Sequence, residues 1–63
     1  MPLKVREVIR MVESEGWALV AQKGGLRQYK HAVKPGPVTI SGNLGDDVKP
    51  GTLSSIRRQA GLK

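Results

Sequence analysis

The stretch WALVAQKGGLRQYKH, residues 17–31, decides how this chain folds. From Trp17 to Ala21 it is a tight apolar run with the alternation of period two that is typical of a β-strand. The pair Gly24-Gly25 then interrupts the run, and glycine permits the positive backbone angles that tight hairpin turns require. A second strand is predicted from Leu26 to Ala32. The stretch therefore predicts a β-hairpin.

Alternation along the second strand divides its side chains between two faces of a sheet. One face carries Leu26, Gln28 and Lys30, and the other carries Arg27, Tyr29 and His31. Neither set is apolar enough to identify the face that meets the core.

An amphipathic helix is predicted before the hairpin. Its apolar residues recur at positions i, i+3, i+4 and i+7 and are Val5, Val8, Ile9 and Val12. This spacing places them on one stripe of an α-helix, which we expect from Leu3 to Glu15. Gly16 follows as the stop, because glycine adopts the left-handed conformation of a helix C-terminus without a Cβ penalty.

A third strand and a second helix are predicted after the hairpin. The turn KPGP, residues 34–37, precedes a short strand at Val38–Ser41. A helix is expected from Pro50 to Ala60, because the missing N–H of proline does no harm in a first helical turn. Its apolar stripe consists of Leu53, Ile56 and Ala60, and Gly61 ends it.

The element order is thus α-β-β-β-α, an α+β fold. A three-stranded antiparallel sheet with two helices on one face would bury both helical stripes in one layer. This arrangement is that of double-stranded-RNA-binding domains (dsRBD-like).

The length and the cysteine count limit what can stabilise the chain. Sixty-three residues predict one domain and no more, residues 1–63, because folding buries only about 60% of the unfolded chain's surface at this size and a second core could not be filled. Without cysteine and with one histidine, the chain can form neither a disulfide nor the usual four-ligand zinc site. We therefore expect no metal and no cofactor, and partner binding or self-association as the remaining support. The oligomeric state stays open.

The sequence contains no segment that predicts export or membrane insertion. Its start has no uninterrupted apolar stretch of the kind found in signal peptides. No apolar run approaches the roughly 20 residues that cross a bilayer. We expect a cytoplasmic protein without a membrane partner.

The charge is strongly basic and unevenly distributed. Eleven Lys and Arg residues against five Asp and Glu give a net charge of +6 and a pI near 10.4. The ranges 16–45 and 48–63 each contain four bases and no acid. Such a field suits a polyanionic partner such as RNA. The alternative is a basic surface that only maintains solubility.

Three segments, in the correct order, resemble the HicA (YcfA-like) family. The sequence EGW, residues 15–17, is similar to the junction that follows the family's first helix. The sequence KGGLRQYKH, residues 23–31, resembles its hairpin motif, in which a histidine follows Gly-Ser or Gly-Gly. The sequence PGTLSSI, residues 50–56, followed by AGL, residues 60–62, resembles its closing helix.

The resemblance implies a fold, a function and a partner. Family members have the dsRBD-like fold and are regarded as toxins of type II toxin–antitoxin pairs. They cleave messenger RNA without a metal, and each is held in check by a HicB antitoxin. The resemblance also assigns the catalytic histidine to the position that Leu26 occupies here.

Leucine at position 26 removes the group that the reaction needs. Attack by a ribose 2′-OH requires one proton to be taken and another to be given, and histidine does both near neutral pH. The loss of one such group costs about 10²–10⁴ in rate. His31 is the remaining histidine and a weak substitute, because it faces away from Leu26 and lies about 16–17 Å along the strand.

The candidate RNA contacts are cations on the hairpin and the second helix, together with one aromatic. The cations are Lys23, Arg27, Lys30, Arg57 and Arg58, which would neutralise phosphates. Tyr29 would either stack on a base or lie in the core, and Trp17 is expected in the core. Asp46 and Asp47 are read as a solvated loop rather than as a metal site.

Two functional hypotheses follow. The first is an mRNA interferase toxin, a metal-independent endoribonuclease, whose activity is absent or reduced because of Leu26. The second is a non-catalytic module that binds RNA or a HicB-like antitoxin. Whether the chain is an enzyme stays open between them.

Overall fold

The computed structural model describes residues 3–62. Its elements are α1 (Val5–Ser14), β1 (Ala18–Lys23), β2 (Leu26–Lys30), β3 (Val38–Ser41) and α2 (Pro50–Gln59). The predicted α+β fold with the order α-β-β-β-α is confirmed. No helix within residues 3–62 is both long and apolar enough to cross a membrane.

β2 ends two residues earlier than the sequence predicts, and His31 is the reason. Its Nδ1 accepts hydrogen bonds from the N–H groups of Val33 and Lys34, at 2.9 and 3.0 Å. A side chain that captures the next backbone donors in this way replaces a strand ladder with a turn. The chain therefore leaves the sheet at residue 31.

The three strands form one antiparallel sheet in the order β1-β2-β3. The hairpin between β1 and β2 closes with Lys23 opposite Leu26 around the predicted Gly24-Gly25 turn. Gly24 has a φ of +59°, which a residue with a Cβ rarely adopts. β1 carries one irregularity, between Leu19 and Ala21, where the register with β2 shifts.

The register identifies the face of the sheet that meets the core. Tyr29 pairs with Val38, and Arg27 pairs with Ile40, so these four side chains share one face. Tyr29, Val38 and Ile40 are buried there. Both helices cover this face with the predicted stripes, which contribute Val5, Val8, Val12, Ile56 and Ala60 to the same core. We call this side of the sheet the core face, and the opposite side the helix-free face.

Trp17 joins the two ends of the fold. Its side chain is buried, and its Nε1 donates a hydrogen bond of 3.3 Å to the carbonyl oxygen of Ala60. The backbone at Gly36 passes so close to the indole that a Cβ there would lie 3.0 Å from it. The predicted core role of Trp17 is confirmed, and through it the α1–β1 junction is tied to the end of α2.

Candidate nucleic-acid interface

Leu26 lies at the start of β2 on the helix-free face and is 42% exposed. Its cross-strand neighbours are Lys23 on one side and Ser41 on the other. A shallow depression of about 270 Å³ lies at this point, lined by Ala21, Gln22, Lys23, Leu26 and Gln28. A side chain at position 26 is therefore accessible to a ligand that lies against the sheet.

The helix-free face has a composition suited to an anion. The register places Lys23 and Lys30 on it together with the polar side chains of Gln28, Thr39 and Ser41. The strand sequences ALVAQK, LRQYK and VTIS contain no aspartate or glutamate. A phosphate that approaches this face meets two ammonium groups and no carboxylate of the sheet itself.

Arg27 does not belong to this surface. It shares the core face with Tyr29 and is half-buried. Its Nη1 donates a hydrogen bond of 2.9 Å to the carbonyl oxygen of Gly42. The guanidinium thus holds the loop after β3 against the sheet.

Tyr29 is placed in the core. It is 1% exposed, so its ring offers no face on which a nucleotide base could stack. Burial raises the pKa of its hydroxyl, the negative charge of Glu13 raises it further, and Arg27 partly offsets both. Of the two roles that the sequence left open, the geometry selects the structural one.

His31 uses both ring nitrogens within the fold. Because Nδ1 accepts from Val33 and Lys34, Nε2 is the donor in its 3.0 Å contact with the carbonyl oxygen of Glu15. The ring also packs against Trp17, with 5.3 Å between centroids. Residue 31 follows β2 on the side opposite Leu26, so the structure does not bring this imidazole to the depression.

Arg57 and Arg58 are on α2, which packs against the core face. Both side chains are exposed and lie in the last turn of that helix. The negative end of the helix dipole stabilises cations at that position. The five predicted cations are therefore divided among three places, and only Lys23 and Lys30 share the face of Leu26.

Asp46 and Asp47 serve the loop before α2. Asp46 accepts the N–H of Asn43 at 3.0 Å, and Asp47 forms an ion pair with Lys4. In the part of the chain that the structure describes, no three His, Cys, Asp or Glu side chains come together as a metal site would require.

Thr39 and Ser41 were not singled out from the sequence. Alternation in VTIS separates them from the buried Val38 and Ile40. This alternation is the feature of the sequence that places both on the face opposite the core. Their place beside Gln28 and Leu26, however, depends on the pairing of β2 with β3. That pairing is a tertiary property.

Two comparisons with known proteins bear on this arrangement. A family model described as "HicA toxin of bacterial toxin-antitoxin" matches residues 5–62. The structure is also similar to a chain of a solved toxin–antitoxin complex from Streptococcus pneumoniae, with 27% sequence identity and a TM-score of 0.77. That similarity covers 97% of this chain and 100% of the other. A comparison with curated proteins found no match.

The family match extends from the first residue of α1 to the residue that follows Gly61. It spans both helices, the hairpin and the depression around Leu26, so it concerns the whole fold and the candidate site together. The chain therefore belongs to the HicA toxin family of bacterial toxin–antitoxin systems.

Proposed function

We propose that this chain is a cytoplasmic RNA-binding toxin-family protein that has lost most or all of its ribonuclease activity and still binds an antitoxin. The position of Leu26 carries the proposal. It occupies the site of the histidine in the hairpin motif, and it lies in an accessible depression on the face that holds Lys23 and Lys30. Without an ionisable group there, RNA can be held but not cleaved at a useful rate.

The chemistry of cleavage explains why the substitution is decisive. Metal-independent cleavage forms a bond from the ribose 2′-oxygen to phosphorus and breaks the bond to the 5′-oxygen. The first step releases a proton and the second requires one, and imidazole transfers both near neutral pH. Leucine offers neither a donor nor an acceptor. Lys23 supports charge neutralisation at the same place, because it lies directly across the strand from Leu26.

His31 does not compensate in this proposal. Its two nitrogens are already bonded to the backbone at residues 15, 33 and 34. To act as a base at the depression, the ring would have to leave Trp17 and reach the other face of the sheet. Its role is to shape the turn after β2.

RNA is assigned to the helix-free face, with Lys23 and Lys30 as the phosphate contacts. Arg57 and Arg58 would contribute only if the strand wrapped around to α2. An antitoxin partner is supported by the family and by the similar chain, which was solved in a toxin–antitoxin complex.

The alternative function is a non-catalytic module that binds RNA or an antitoxin for regulation only. The same missing imidazole favours it, because binding surfaces can persist where acid–base chemistry is lost. The two functions differ in what Leu26→His does. A scaffold that retains the rest of a nuclease site regains cleavage, whereas a pure binding module does not.

The test is cleavage of a single-stranded RNA by the parent, Leu26→His and two control variants, with a metal chelator present. Leu26→Gln supplies polarity without an imidazole, and Gln28→His places an imidazole two residues away on the same face. We expect Leu26→His to exceed the parent and both controls by about 10²–10⁴ in rate. If Leu26→His is no more active than Leu26→Gln, position 26 is not the catalytic position and the alternative is favoured.

A further inference from the structure

Within residues 3–62, β1 is an edge strand that pairs with β2 alone. It pairs on one side only, and all six of its residues are exposed. The backbone hydrogen bonds that the described residues make outside helices and sheet include none from Ala18–Lys23. A row of backbone N–H and C=O groups therefore faces solvent along this strand.

The first four side chains of this edge, at residues 18–21, are apolar. Leu19 is 44% exposed and Val20 is 55% exposed. No charged residue occurs between Ala18 and Gln22. Sheet proteins usually blunt such edges with lysine, proline or a covering element. β1 has a lysine only at its last residue, Lys23, and a bulge near Val20. An edge of this kind is suited to pairing with another strand.

The hairpin shows which backbone groups of β1 are available. In a two-residue hairpin, the residues that close the turn exchange both of their hydrogen bonds, and the preceding residue points away from its partner strand. Lys23 and Leu26 close this turn. The N–H and C=O of Gln22 therefore face outward, where a further strand would lie.

Two lysines bound the edge on the helix-free side. Lys23 ends β1, and Lys30 lies across from Ala18 at its start. Along β2 these positions correspond to Leu26 and Lys30, four residues or about 13 Å apart. A strand added beside β1 could bring two carboxylates, also four residues apart, near both ammonium groups. On its opposite face it would present apolar side chains near Leu19.

We propose that β1 binds an extended segment of a protein partner, which adds a fourth strand to the sheet and carries acidic residues four positions apart around an apolar centre. The proposal rests on the proposed function in that the partner is an antitoxin. Main-chain hydrogen bonds supply the affinity in such strand addition, and alternate side chains supply the specificity.

A second copy of this chain fits the edge less well. Each copy has a net charge of +6, so two copies repel each other. β1 also brings no carboxylate to face Lys23 or Lys30 of another copy. An acidic segment satisfies both the edge and its charges.

The test uses the full chain labelled for NMR and the synthetic peptide acetyl-TEVTVET-amide. We expect the peptide to shift the amide signals of β1 and to slow hydrogen exchange at Gln22. The matched peptide acetyl-TKVTVKT-amide keeps the apolar pattern and reverses the charges, and we expect it to bind about tenfold more weakly. Val20→Lys places a charge on the edge, and we expect it to abolish the shifts while the signals of β2, β3 and both helices stay unchanged.

The proposal is overturned if millimolar TEVTVET leaves the β1 signals unmoved, or if the lysine peptide binds equally well. It is also overturned if the shifts map to α1 or α2. Should Val20→Lys unfold the chain, a TEVTVET peptide with N-methylated valines replaces it, since it lacks two of the donors that strand pairing needs. RNA cleavage by Leu26→His does not depend on this edge. If Leu26→His cleaves RNA but the peptide does not bind, only the proposed interface is rejected. If both tests fail, the proposed function is rejected as well.

Discussion

Residues 26 and 31 show how strongly the side of the sheet on which a residue lies determines what its side chain can do. Leu26 is open to solvent on the helix-free face, whereas His31 is bonded to three backbone groups and packed on Trp17. The imidazole of His31 therefore stabilises the turn after β2 and does not reach the accessible side of the sheet. The accessible position carries a hydrocarbon side chain instead.

Tyr29→Phe should alter how stability depends on alkaline pH. The pKa of Tyr29 is raised in the folded state, first by burial and then by Glu13. Below pH about 10 both states keep the proton, and stability has its full value. Above that, the unfolded chain ionises first, so the free energy of unfolding falls by up to about 1.4 kcal/mol per pH unit until the folded pKa is reached.

Urea unfolding of the parent and of Tyr29→Phe at pH 8, 10 and 11 measures this effect. The phenylalanine variant should lose less stability between pH 10 and 11, because phenylalanine has no proton to release. The lysines contribute equally to both proteins, so they cancel in the comparison. Parallel losses in the two proteins would mean that the phenol is not shielded.

The connection between α1 and β1 is where elements constrain one another. Gly16 has a φ of +96°, and a Cβ added there would lie 2.8 Å from Nε2 of His31. The same imidazole holds the carbonyl of Glu15 and contacts Trp17. A glycine at this position thus serves both the helix stop and the turn after β2.

Gly16→Ala should therefore lower the free energy of unfolding by about 1–3 kcal/mol, from left-handed strain and displacement of His31. Gly45→Ala is the matched control, because φ is not positive there and nothing lies within 4 Å of an added Cβ. Chemical denaturation compares the two. A control that loses as much as Gly16→Ala would show that the junction carries no special constraint.

At the scale of the whole molecule, the basic charge is divided between two sides of the sheet. Lys23 and Lys30 lie on the helix-free face, and Arg57 and Arg58 belong to a helix on the core face. The net charge of +6 therefore does not describe a single patch. It describes a weak general attraction for anions, with cations concentrated at these two places.

The salt dependence of RNA affinity distinguishes these sides. For single-stranded RNA, the slope of log affinity against log salt should decrease in magnitude by about 0.7 for each phosphate contact removed. We expect this for Lys23→Gln and Lys30→Gln, measured by fluorescence anisotropy at several salt concentrations. Arg58→Gln should leave the slope unchanged. The opposite pattern would place RNA on α2.

The elements and their order follow from the amino-acid sequence alone. Periods of 3.6 and 2 reflect the local geometry of helix and strand, and stops such as Gly16, Gly24 and Gly61 reflect local sterics, so both can be predicted without knowing the fold. The resemblance to the family's hairpin motif likewise indicates position 26 as the candidate catalytic position. The early end of β2 does not follow from alternation, because it depends on the hydrogen bonds that His31 accepts from residues 33 and 34.

Which face each side chain occupies relative to the helices, by contrast, depends on the packing of elements that are distant in sequence. Alternation separated Leu26 and Lys30 from Arg27 and Tyr29 but could not say which set was buried, because neither is clearly apolar. Packing of both helices on one face settled it, since burial of apolar area is shared among elements distant in sequence. The same packing left β1 uncovered, although its apolar run resembles that of a buried strand.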